Sequence, residues 1–216
     1  MMRWIRDDRG MTLVELMIVL LVFSMVMGAV ASLLTTSLSA YWKGDLATQV
    51  QQGGRIGADR LTRDLRQARR LLNGTSAGGF TFSTSCTPNP QLSFALPHLA
   101  TVTLADTSTI YATDATASGV IPYDGSYVSY YLSATQGGTT PNAVGPYLTK
   151  TVWDIVSAAL TTTTVATNVT GLALLGTCPG VSTRELTVQL TASQTASSQH
   201  VTSTDVVTSD VTLRNQ

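Results

Sequence analysis

The sequence predicts an α+β protein, a long N-terminal helix followed by an antiparallel β head. Three observations predict it. No proline precedes Pro88, so nothing in the first third breaks a helix. Residues 16–42 form a run of 27 positions without a formal charge. From Gly78 onward, apolar and polar residues alternate in short runs, the two-residue period of a half-buried strand. The chain has 216 residues, enough for a sizeable core, and thirteen Lys+Arg balance thirteen Asp+Glu. With only 12% charged and 44% hydrophobic residues, it is neither a disordered charged tail nor a basic nucleic-acid-binding chain.

The balance conceals a division. Residues 1–74 carry ten Lys/Arg and six Asp/Glu, a net +4, and residues 75–216 carry three basic and seven acidic residues, a net −4. The first element is the apolar run. As a helix its 27 residues span about 40 Å, more than the roughly 30 Å of bilayer hydrocarbon. Arg3, Arg6 and Arg9 precede it, which by the positive-inside rule leaves the N-terminus cytoplasmic. Tyr41, Trp42 and Lys43 stand where an interfacial belt falls. Glu15 is out of place at the head of this run, because a carboxylate deep in a membrane helix costs on the order of 2.5–3.5 kcal/mol.

The second element is a stalk over residues 43–74. Leu46, Val50, Leu61, Leu65, Ala68 and Leu72 fall on one stripe at helical spacing, with Ile56 beside it. Asp59 and Arg63 make an i,i+4 pair. Six arginines stand against two aspartates between residues 55 and 70. That stripe reads either as a solvated or subunit-facing surface or as a contact for nucleic acid, and no aromatic residues interleave for base stacking. Residues 11–72 together make a helix of about 90 Å, stopped by Asn73-Gly74. Gly53, Gly54 and Gly57 interrupt it, marking a bend or a close helix–helix approach.

The third element is the head, residues 75–216. Residues 80–82, 92–96, 102–104, 126–134, 185–192 and 211–213 read as strands, with Pro88-Asn89-Pro90, Tyr123-Asp124-Gly125 and Gln136-Gly137-Gly138 as turns. They predict one antiparallel sheet lying half-buried against the stalk, with residues 161–164 as a loop or edge. Tyr127, Tyr130 and Tyr131 fit a half-buried strand. Cys86 and Cys178, the only cysteines, lie beyond the membrane in this topology and are expected to pair. Neither His98 nor His200 has a cysteine or carboxylate at catalytic or metal-ligand spacing, and no phosphate loop or nucleophile elbow is present. The reading is of a chain that is not an enzyme and needs no cofactor or metal.

The residues Arg9-Gly10-Met11-Thr12-Leu13-Val14-Glu15-Leu16-Met17 carry a resemblance. A charged leader ends in glycine and leads through Thr-Leu-Val-Glu-Leu into a membrane helix, which resembles the class III signal of type IV pilins and pseudopilins. The resemblance implies a leader of residues 1–10, cut by prepilin peptidase between Gly10 and Met11, with Met11 then N-methylated. Residues 11–42 become a transmembrane and filament-core helix, and Glu15 an assembly residue paired with the new amine of Met11. It further implies partners: other pilin or pseudopilin subunits, the peptidase, an inner-membrane assembly platform and the membrane itself. Localisation is the inner membrane before assembly and a periplasmic or extracellular filament after it. Residues 60–68 look like the stalk of larger minor pilins and of J-type pseudopilins of type II secretion. With no proline in the membrane helix, the chain is most similar to a minor pilin or pseudopilin. A competing signal is Ala29-Val30-Ala31 before Ser32, the pattern of a general signal peptidase. That alternative makes the chain a secreted β-domain protein, and an uncut leader makes it a membrane-anchored binding protein outside any filament.

Overall fold

A computed structural model describes residues 12–97, 99–103, 109–113, 124–176, 178–179, 183, 185–196 and 201–213. Among these are one helix, α1 (Leu13–Gln67), and twelve strands. The chain forms two compact units, Met1–Asp45 and Leu46–Gln216, and α1 contributes to both. The α+β architecture, a long N-terminal helix and a β-rich C-terminal head, is as the sequence predicts.

In the second unit β1 (Arg70–Leu71), β4 (Gln91–Pro97), β7 (Asp124–Ser133), β8 (Tyr147–Asp154) and β9 (Ala159–Thr167) make a five-stranded sheet in that order. β10 (Val169–Leu175), β11 (Glu185–Ala196) and β12 (Val201–Thr212) make a three-stranded one. Two hairpins complete it, β2 (Asn73–Ala77) with β3 (Phe80–Ser83) and β5 (Leu99–Thr103) with β6 (Thr109–Thr113). Every pairing is antiparallel. The single sheet expected from sequence is therefore four. The residues 161–164 lie in β9, the edge strand of the larger sheet, so the edge reading holds.

The helical stripe packs as its spacing requires. Leu46, Val50, Ala58, Leu61, Leu65 and Ala68 are buried, and the last four join Leu92, Phe94, Leu148, Leu172, Val188 and Leu190 in one core. The helix stops earlier than Asn73-Gly74 predicts. Its last turn tightens through Ala68 N to Leu65 O, and then the backbone is claimed by β4, with Arg69 N donating to Ala95 O and Leu72 N to Ser93 O, both at 2.8 Å. Those sheet bonds satisfy amides that would otherwise continue the helix. Leu72 accordingly leaves the helical stripe and joins Phe80, Phe82, Ala95 and Tyr131 in a second core.

That second core revises the reading of the tyrosines. Tyr130 and Tyr131 are adjacent and point to opposite faces of β7, yet both are fully buried, while Tyr127 is partly so. The β2–β3 hairpin roofs the face that sequence leaves open to water: Phe80 stacks on Tyr131 at 5.5 Å and Phe82 meets Tyr127 at 5.7 Å. The turn expected at Tyr123-Asp124-Gly125 is also displaced, since β7 already begins at Asp124; Tyr123 itself lies outside the described residues, as does Leu104 of the expected strand 102–104.

The close approach at the stalk glycines is to strands rather than to a second helix. α1 is unbroken through these glycines, and they admit the sheets. A methyl group at Gly53 would lie 2.6 Å from the carbonyl oxygen of Thr167, and one at Gly57 would lie 3.0 Å from the Leu148 side chain. The close approach is helix to sheet.

Candidate assembly site

The N-terminal residues of α1 hold the chemistry. Thr12 precedes the helix, accepts a hydrogen bond from Leu16 N on its carbonyl, and receives Glu15 N on its hydroxyl at 3.3 Å. Thr12 is thus the N-cap and Glu15 the third helical residue, the spacing of a capping box. Sequence reasoning missed this role, although Thr-x-x-Glu before an apolar run is its signature. A carboxylate in the first turn is also favoured by the helix macrodipole. Glu15 is exposed and has this local reason to stand where it does. Gly10 and Met11, the expected cut site, lie outside the described residues, as do His98 and His200.

Beyond Glu15 the apolar run is left uncovered by the other described residues. Leu16, Met17, Ile18, Leu20, Phe23 and Val26 are each at least half exposed. The stretch is long and apolar enough to cross a membrane. Its hydroxyls suit such an environment: Ser24, Thr35, Thr36 and Ser39 donate to carbonyls three or four residues back, at 2.8–2.9 Å. These four hydroxyls are satisfied by their own helix, as hydrocarbon surroundings demand. Tyr41 and Trp42 follow, edge to face at 6.1 Å.

Residues 5–31 match the family model described as the prokaryotic N-terminal methylation motif. The chain carries the signature of type IV pilins. The motif is that of a type IV pilin-like substrate of prepilin peptidase, and with the apolar helix it fits a membrane-anchored pilin. No curated protein and no solved structure matches the chain.

The rest of this pilin-like chain is braced. Cys86 and Cys178 form a disulfide with Cα atoms 5.9 Å apart and a sequence separation of 92. Closing a loop of that size is worth about 4–5 kcal/mol on the chain-entropy estimate. Asp64 of α1 faces the sheet, where Tyr130 Oη donates to its Oδ2 at 2.6 Å and Lys150 Nζ donates to the same oxygen. Burial, then the bond to Asp64, pushes the Tyr130 hydroxyl far above its usual pKa, and burial raises Tyr131 as well. The Asp59–Arg63 pair is present at 3.5 Å, but with both side chains about three-quarters exposed it adds little. No group of three His, Cys, Asp or Glu side chains suited to a metal occurs among the described residues.

Proposed function

We propose that the protein is a structural subunit of a type IV pilus-like filament, of the minor pilin or pseudopilin kind. The observation that supports this reading best is the methylation motif at residues 5–31, which extends into an apolar helix left uncovered by the other described residues. Residues 1–10 are the leader, 11–42 the transmembrane and filament-core helix, 43–74 the stalk and 75–216 the head. Prepilin peptidase cuts between Gly10 and Met11 and the new amine of Met11 is methylated. The precursor sits in the inner membrane with its N-terminus cytoplasmic. It is then drawn by the assembly platform into a periplasmic or extracellular filament with other pilin or pseudopilin subunits. Its work is mechanical rather than enzymatic and serves adhesion, motility, DNA uptake or type II secretion.

Glu15 has two jobs in this reading. In the free chain its backbone amide donates to the Thr12 hydroxyl and its carboxylate stands in the first helical turn, where the macrodipole favours it. In the filament it pairs with the Met11 amine of its own chain or a neighbour, offsetting two desolvation costs and setting the register of docking. Glu15→Gln separates them, since glutamine also serves in a capping box. The variant should be clipped normally and enter filaments at least about tenfold less than wild type, in line with the loss of one charge-assisted pair. Equal incorporation would leave Glu15 as a cap alone.

The N-terminal peptide mass from native membranes tests the whole reading. The expected species begins at methylated Met11. A start at Ser32 would make the chain a secreted β-domain protein, and an intact leader a membrane-anchored one.

A further inference from the structure

We propose that the arginine face of α1 between residues 55 and 66 docks onto the acidic β11–β12 surface of a second copy of this chain. The inference goes beyond the filament reading, because such docking needs only two membrane-held or detergent-held copies. It starts from a division of charge inside one compact unit. Residues 46–74 hold six arginines and two aspartates, a net +4, and residues 75–216 a net −4, so the unit Leu46–Gln216 is neutral as a whole yet split in two.

The structure makes the division sharper than the count. Of the two stalk aspartates, Asp64 is turned into the head and taken up by Tyr130 and Lys150, which leaves only Asp59 among the arginines. Arg55, Arg60, Arg63 and Arg66 are exposed. Lys150 is the only cation among the described residues after Arg70, and Asp64 occupies it. On the head, Glu185 and Asp210 are exposed. They share one face of the strand pair, because Asp210 lies opposite Thr187 and accepts its hydroxyl at 2.6 Å. Asp205, on the same strand, is half-buried on the other face, opposite Ala192. β12 is the edge of its sheet, with no strand beyond it among the described residues.

Each surface has an apolar centre to match. Ile56 is 48% exposed beside Arg55, at a groove also lined by Asp59, Thr62, Val207 and Ser209. Val206 is 50% exposed on the face that carries Asp210, four residues away. Opposite charge on two surfaces, each with one exposed apolar side chain, is the complementarity that steers a specific contact and sets its register. Within one copy the arginine face and β12 border the same groove, and Thr62 and Ser209 hydroxyls meet across it at 2.8 Å, so a second copy can present each patch to its opposite. A uniformly anionic partner such as a lipid surface or nucleic acid would meet the acidic half of the same unit as repulsion.

Isotopic mixing tests this with the full chain in detergent. Arg63→Lys with Arg66→Lys keeps the charge and supplies amines that a carbodiimide joins to carboxylates as amides, with loss of water. Equal parts of light and nitrogen-15 chains are mixed and treated. The expected result is heavy–light peptide pairs linking position 63 or 66 to Glu185 or Asp210, falling at least about tenfold between 0.1 M and 1 M NaCl as screening grows. Arg55→Glu with Arg63→Glu should dissolve the oligomer seen by sedimentation, and Glu185→Arg with Asp210→Arg added to it should restore it. Both sets lie on exposed positions, and retention of the Cys86–Cys178 disulfide on a non-reducing gel checks that the head has folded. Links confined to single chains, or an arginine face protected only when anionic vesicles or DNA are added, would overturn the proposal. Normal clipping at Met11 without heavy–light links would sink this inference and leave the filament reading standing. Heavy–light links on an unclipped chain would do the reverse.

Discussion

The two parts of α1 share one backbone geometry and meet opposite fates. Over residues 13–38 every side chain is exposed, and the large apolar ones have no cover among the described residues. Over residues 46–67 the apolar side chains narrow to a stripe, and Leu61 and Leu65 are sealed to 1% and 0% exposure beneath two sheets. Even the glycines differ. A methyl at Gly28 would touch nothing within 4 Å, whereas one at Gly53 would strike backbone. A helix that is apolar all round expects its partner from outside, in lipid or in neighbouring helices, and a helix with a stripe has already found it. The comparison locates the stability of this chain in the second part and its assembly chemistry in the first.

The largest effect that would break the comparison comes from core truncation. Leu65→Ala should lower the unfolding free energy of the head by about 2–5 kcal/mol, and Leu20→Ala by less than about 0.5. Urea unfolding of the full chain in detergent, followed by near-UV circular dichroism, measures both. Equal losses would mean that the first part of α1 is also braced by the head.

The glycine pair sharpens the same contrast at a smaller scale. Gly53→Ala should cost about 1–3 kcal/mol, because the Thr167 carbonyl must shift to admit a methyl. Gly28→Ala should leave the unfolding midpoint unchanged or slightly higher, since alanine favours helix by up to about 1 kcal/mol. A tolerated Gly53→Ala would return the stalk glycines to the role of a bend.

The smallest effect is alkaline. The folded head holds the Tyr130 proton more tightly than the unfolded chain, whose tyrosine titrates near 10. Its contribution is therefore complete below pH 10 and is lost as pH rises above that value. Tm measured between pH 9 and 12 should fall above pH 10, and Tyr130→Phe should flatten part of that fall. An identical slope in the variant would place the loss elsewhere, with Tyr131 the next group to examine.

Much of this was legible in the order of residues. An uncharged run longer than a bilayer, a glutamate at its head and a stripe at helical spacing are local patterns, and local patterns need no partner to be read. At the candidate site the sequence showed Glu15 at the head of the apolar run and passed over the cap formed by Thr12, although its spacing was in plain view. The two cysteines were named as partners from compartment alone, and the structure joins them. What tertiary structure decided is where each local pattern ends and what covers it. The helix yields at Gln67 because β4, more than twenty residues later, supplies carbonyls to Arg69 and Leu72. Strands β2, β6, β8, β10 and most of β12 went unread, and β9 was seen only as a loop or edge, because such runs say little until a neighbour pairs with them. Tyr131 is buried only because a hairpin folds across its face, and the stalk glycines acquire a purpose only when Thr167 and Leu148 arrive beside them. Periodicity reports which side of an element is apolar. The hydrogen bonds and steric contacts that terminate elements and roof their faces come from residues distant in the chain, and only the folded chain brings those together.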